Sequence, residues 1–242
     1  MRQLKDYVQW PIFVGLLAIV MTLIVTSFSF RQEHRKSNSA ALARVVNNSF
    51  SHHLQMEAVR LRGLLSLTMN RENLQKLFLN GDRQALFEAS MPIFTHLKNE
   101  QRLTHFSFIE PDRRCFLRVH NSEEYGDVIK RETMLNAQSR QDLSWGIELS
   151  SLGTFTLRVV QPWFADKEVI GFFEFGEEID HVTKDVSRIC AAKLIATVNK
   201  SHLMNTNLEK GQDDWNLFAS SVVIDKTMAE LSPEFVEYMK AH

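Results

Sequence analysis

Cysteine is nearly missing from this chain: only Cys115 and Cys190 occur among its 242 residues. They form no CxxC pair and fit no metal-ligand spacing, so neither a disulfide framework nor a zinc module organises the fold. Both are read as small interior side chains. Whether they pair in an oxidising compartment is a matter of geometry that spacing leaves open. Excess charge is missing too, since the formal net charge is -1 and no basic stripe alternates with aromatics. Bulk electrostatics therefore give no nucleic acid partner. There is no Gly-x-Ser-x-Gly elbow, P-loop, Rossmann glycine fingerprint or HExxH. The expectation is a protein without catalysis and without a cofactor. A metal is not expected either: His52 and His53 are neighbours on a helix and point about 100° apart, and His105 and His120 add no ligand spacing.

Charge is absent once more from Tyr7 to Phe30, where Pro11 to Phe30 reads PIFVGLLAIVMTLIVTSFSF. That run meets the ~20 residues a helix needs to cross the hydrocarbon core. A cleaved signal peptide would be shorter and followed by small residues, whereas Phe28, Phe30 and Arg31 stand here, so an uncleaved transmembrane anchor is expected, with Tyr7 and Trp10 at an interface. No Glu interrupts the run, which removes a type IV pilin. Arg2 and Lys5 precede it, against Arg31, Arg35, Lys36 and Arg44 after it. Taken alone, that bias would hold the following domain on the cytoplasmic side.

What the chain does have is a series of short segments rich in Phe, Val, Ile and Thr between Leu103 and Asp180: LTHFSFI, CFLRVH, WGIEL, TFTLRVVQPWF and EVIGFFEFGEEID. Bounded by Pro, Asp and Gly, with a break at Ala165-Asp166, they predict a five-stranded antiparallel sheet. Alternation assigns its faces. Cys115, Leu117 and Val119 oppose Phe116, Arg118 and His120; Trp145, Ile147 and Leu149 oppose Glu148; Phe155, Leu157 and Val159 oppose Arg158; Phe173 and Phe175 oppose Glu174. Arg118, His120, Glu148, Arg158 and Glu174 are thus expected over one side.

Helical spacing recurs before and after the sheet. Leu42, Val46, Phe50, Leu54, Ala58, Leu61 and Leu65 predict a long amphipathic helix from Ser37 to about Phe78. One stripe of it can serve the domain and another a partner copy, so a homodimer through this helix is expected. Asn80-Gly81-Asp82 ends it, and Leu86, Phe87, Met91, Phe94 and Leu97 mark a second helix. The polar segment after His120 contains a short helix around Glu132 to Ala137 and is placed to cover the charged face. Gly126 supplies a positive-φ turn that would set Tyr125 and Asp127 over the sheet. Trp163 is read as a core or rim aromatic.

The ordered motifs Phe116 to His120, Glu124 to Asp127, Gly146 to Glu148, Leu157 to Pro162 and Ile170 to Asp180 resemble the extracytoplasmic double-Cache sensor domains of bacterial chemotaxis receptors, sensor kinases and diguanylate cyclases. The resemblance covers about Leu61 onward. It implies a PAS-like fold that binds a small solute and signals through the inner membrane, with the domain outside the cell despite the charge bias, because long domains translocate regardless of flanking charge.

The expected architecture is α+β. Residues 1–36 form a cytoplasmic tip, transmembrane anchor and juxtamembrane link; 37–101 the long and second helices; 102–192 a membrane-distal Cache module; 193–242 the start of a second, truncated one. No GGDEF, kinase or methylation-helix segment occurs, so a cytoplasmic output domain is expected outside this chain. The candidate ligand group is Arg118, His120, Tyr125, Asp127, Glu148, Arg158 and Glu174. Arginines fork onto a carboxylate, and the acidic groups accept from an ammonium. An amino acid, amine or carboxylate is the expected class. In the competing reading these charges pair with one another across strands, and the module is a dimerising or interacting domain without a ligand.

Overall fold

The computed structural model describes residues 2–150, 154–202 and 217–241. The expected anchor, Pro11 to Phe30, falls mostly on positions whose side chains lie outside the described set. Among the described residues no helix is long and apolar enough to cross a membrane. The chain divides into two units, Met1–Asn48 and Ser49–His242. The first is helical throughout its described residues.

In the second unit, the end of helix α1 (Arg2–Met69) buries Leu54, Ala58, Leu61 and Leu65, the i, i+4, i+7, i+11 stripe that helical spacing calls for. The helix does not run on to Phe78. It ends at Met69, and after an extended Arg71 the chain starts α2 (Glu72–Leu79). No Gly or Pro marks the break. It turns Leu74 and Phe78 into the core, where the Phe78 ring meets Phe108, Phe116 and Trp163; this burial outweighs the helical preference of the intervening residues. Gly81 at φ 69 then reverses the chain, and the Asp82 carboxylate accepts from Ala85 N at 3.0 Å to cap α3 (Arg83–Gln101), as its residue types foretell.

Strands β1 (His105–Ile109), β2 (Cys115–Arg118), β3 (Ser144–Leu149), β4 (Phe155–Ala165) and β5 (Glu168–Glu178) form one antiparallel sheet in the order β2-β1-β5-β4-β3. The β4–β5 turn places Asp166 at φ 48 and Lys167 at φ 73, the left-handed pair that matches strand twist in a two-residue hairpin. One face carries Phe106, Phe108, Trp163, Phe173 and Phe175, all buried and in mutual ring contact. Each buried Phe contributes about 1.5–3 kcal/mol.

The other face is divided. Ile109, Cys115, Val160 and Phe172 pack under Ile129, Met134 and Ala137, the last two from α4 (Glu132–Arg140), which lies against β3 and β4. The remainder of this face is polar. Strict alternation misplaces Cys115 here. Phe108 pairs with Leu117 but Ile109 pairs with Cys115, so Phe116 is the extra residue of a bulge, and Cys115 changes face while Phe116 joins Leu117 on the aromatic side. Cys115 and Cys190 are both free thiols.

After β5 come α5 (Asp180–Cys190), then β6 (Ile195–Asn199) and β7 (Ser221–Lys226), paired in a two-stranded antiparallel sheet, and α6 (Pro233–Ala241).

Candidate functional site

Strand register gathers the polar face. Ser107 pairs with both Arg118 and Glu174, Glu174 pairs with Val160, Arg158 with Gly146 and Gly176, and Glu148 with Thr156. Directly paired residues share a side. His105, Arg118, Glu148, Arg158 and Glu174 therefore stand over one surface.

At its centre is a closed ring of charge. Arg158 donates to Glu174 Oε1 at 2.8 Å, and Arg131 donates to Glu174 Oε2 at 2.5 Å. The Nε atoms of the two arginines lie 3.6 and 3.1 Å from Glu148 Oε2. Glu148 Oε1 accepts from Thr133 N at 2.9 Å and Thr133 Oγ1 at 2.7 Å, so a carboxylate from β3 caps the first turn of α4, where free N–H groups favour an anion. Glu174 is fully buried and Arg158 is 5% exposed. Burial opposes the Glu174 charge, but Arg131 and Arg158 overturn it and hold the carboxyl well below the usual range. Burial also lowers the Arg158 pKa. The Arg131 charge, opposed by burial, is restored by Glu174.

The ring is not fully satisfied. Among the described residues, Arg131 Nε, Arg158 Nε, Glu148 Oε2 and Thr156 Oγ1 are buried without an aligned hydrogen-bond partner. Both Nε atoms sit within ion-pair reach of Glu148 Oε2, and donors and acceptor alike can be re-aimed at a charged group.

Arg118 and Asp127 form a separate, bidentate pair at 2.7 and 2.8 Å, and Arg118 also donates to Glu124 O at 2.7 Å. Arg118 lowers the Asp127 pKa through these hydrogen bonds. Gly126, at φ 84, donates its N–H to Cys115 O, and Asp127 O accepts from Cys115 N; the cover segment thus lies along β2 before α4 begins. His120 stacks edge-on to His105 at 4.7 Å between centroids, and its Nδ1 lies 3.1 Å from Phe106 N. Burial pushes both imidazole pKa values down, that of His105 to about 3.

Tyr125 does not join this surface. It is exposed, with the Arg83 guanidinium 3.7 Å from its ring centroid, a cation–π contact. Trp163 is buried on the aromatic face, away from the charged one.

Glu148, Arg158 and Glu174 thus meet as the alternation of the strands predicts, while Arg131 and His105 join them unannounced. Alternation along HFSFI puts His105 opposite Phe106 and Phe108 and would have found it. Arg131 carries no such signal, because only the closure of α4 over the sheet brings it to Glu174.

The chain matches, over residues 36–226, the profile of a double-Cache family described as the double sensory domain of two-component sensor kinases. No curated protein matches it. Similar solved structures include the Escherichia coli DcuS sensor domain, at 16% identity and TM-score 0.44, covering 55% of this chain and 97% of that one. The Vibrio cholerae DctB histidine kinase sensor domain shares 12% identity with TM-score 0.49, covering 84% and 76%. The periplasmic domain of Vibrio cholerae LuxQ gives 12% and 0.48, covering 84% and 85%. The profile, which spans both the five-stranded sheet and the β6–β7 pair, carries the assignment: the chain belongs to the double-Cache family of sensory domains.

Proposed function

We propose that this sensory domain binds a small charged solute, an amino acid, amine or carboxylate, between the polar face of its sheet and the segment from Gly126 to Arg140, and that it passes the binding event to the membrane through α1. In this reading Pro11 to Phe30 is the membrane anchor, the sensor lies in the periplasm, the protein is a non-catalytic homodimer, and the output domain belongs elsewhere. The observation that carries it is the desolvated ring of Arg131, Arg158, Glu148 and Glu174 with its misaligned Nε and Oε2 atoms. A zwitterion suits it: the arginines take its carboxylate, Glu148 and Asp127 its ammonium. Binding of this kind must displace existing ion pairs, so an uncharged solute is not expected to compete. The solute biases signalling only by the difference in its affinity for the two arrangements.

A second reading is favoured by the same ring, since its four charges already pair with one another. In it the module is a dimerising or interacting domain without a ligand. Thermal unfolding of the purified chain against a panel of amino acids, amines and carboxylates separates the two. A true ligand at ~100 times its Kd stabilises by about 2.7 kcal/mol. Arg131→Gln, which keeps the Arg158 contact to Glu174 at some cost in stability, should abolish the shift, with circular dichroism reporting that the variant is folded. No shift across the panel supports the second reading, whereas a shift unchanged in Arg131→Gln places the solute away from the ring and overturns the proposed site.

A further inference from the structure

A second group of titratable side chains lies apart from the charged ring, where α1 meets the end of β5 and the start of α5. Glu57 comes from α1, Glu177 from β5 and His181 from α5. Arg60, one turn along from Glu57, donates Nε to Glu57 Oε2 at 2.6 Å and a terminal nitrogen to Glu177 Oε2. One guanidinium therefore takes the Oε2 atom of both carboxylates and turns both Oε1 atoms the same way. They face His181 Nε2, which is 3.2 Å from Glu177 Oε1 and 3.8 Å from Glu57 Oε1.

The imidazole is oriented as well. His181 Nδ1 lies 3.1 Å from the carbonyl oxygen of Glu178, so in the neutral ring Nδ1 holds the proton and Nε2 presents a lone pair. Three acceptor atoms thus converge within 4.8 Å of one another. Glu177 is fully buried, and neither its Oε1 nor His181 Nε2 has a hydrogen-bond partner among the described residues. Acceptors turned on one another without a donor cost the full desolvation of each. A cation at their centre removes that cost.

We propose that Glu57, Glu177 and His181 bind one divalent transition-metal ion of the zinc class. An imidazole nitrogen with two carboxylate oxygens is a donor set such an ion accepts. Tetrahedral ligation at ~2.0–2.1 Å places ligand atoms roughly 3.3 Å apart, against the 3.2 and 3.8 Å already present around His181 Nε2. Arg60 and the Glu178 carbonyl then act as the outer contacts that orient ligands around a metal. Three protein ligands leave a fourth position to solvent. The ion would fasten α1 to the β5–α5 corner. His181 carries no sequence signal for this role, because Glu57 lies 124 positions away along the chain.

The full chain, stripped with a chelator and titrated calorimetrically with zinc sulfate at about pH 7.5, tests this, with manganese and magnesium as comparison titrants. One equivalent of zinc should bind to the wild type and raise its melting temperature. His181→Gln and Glu57→Gln should each weaken binding at least ~10-fold and lose the thermal response. Circular dichroism reports whether each variant is folded, and Glu57→Gln, at a half-buried helical position, keeps the test open if His181→Gln is not. Zinc binding equal in the wild type and a folded variant overturns the proposal, as does no binding at all. A wild type that ignores zinc yet gains stability as pH falls from about 7.5 to 5.5, a gain lost in His181→Gln, assigns the position to a proton and overturns it as well.

Discussion

His105 illustrates what desolvation does to a single side chain on this face. Burial, joined by the nearby Arg158 charge, lowers its pKa from 6.5 to about 3, so the folded protein holds the ring neutral where the unfolded chain takes up a proton. Its contribution to stability is therefore complete above pH 6.5 and is lost as the pH falls toward 3. Compared with His105→Gln, the wild type should lose about 1.4 kcal/mol per pH unit below the unfolded-state pKa. Urea unfolding of both proteins across this window checks it, and parallel pH profiles would show that the ring is not held neutral. Glu174 has the opposite chemistry and the same origin: its charge persists in the interior because Arg131 and Arg158 each take one of its oxygens. Losing either arginine leaves part of a buried carboxylate uncompensated.

Among the elements, the sheet was the most legible part. Its strands could be written from Phe, Val, Ile and Thr runs because alternating burial is a local steric consequence of the pleat. The departures lie where a distant neighbour intervenes. The bulge at Phe116 moves Cys115 to the other face, and the break after Met69 turns α2 inward. Gly171 records how closely these parts approach. A Cβ there would stand 2.6 Å from Ile109 O and 2.9 Å from the Phe78 ring. The Phe78 ring can shift, but the Ile109 carbonyl belongs to the neighbouring backbone. Gly171→Ala should therefore destabilise the domain by about 1–3 kcal/mol through overpacking, read as a lower denaturant midpoint with unchanged slope.

For the molecule as a whole, α1 offers two faces in the sensor unit. Leu54, Ala58, Leu61 and Leu65 are buried, while Met56, Val59 and Leu67 are exposed on the side away from the core. Apolar side chains aligned at i and i+3 along an exposed helix face suit a second copy of the same helix. For the proposed homodimer, Val59→Asp should shift the sedimenting species from dimer to monomer and leave the far-ultraviolet spectrum unaltered. Sedimentation identical to the wild type would place any dimer contact elsewhere.

Alternation of side chains, the turn chemistry of Gly81, Asp82 and Gly126, the helical stripe of α1 and the ordered motifs of a sensory family were all determined by the sequence itself. Each depends on residues a few positions apart and on sterics every chain obeys. The choice of charge partner was decided only by the tertiary structure. Arg131 reaches Glu174 across 43 positions and Arg60 reaches Glu177 across 117. Which groups meet, and how dry the place is where they meet, follows from closure of α4 over the sheet and of α1 onto the β5–α5 corner; desolvation then sets whether a charge is kept, shifted or left seeking a cation.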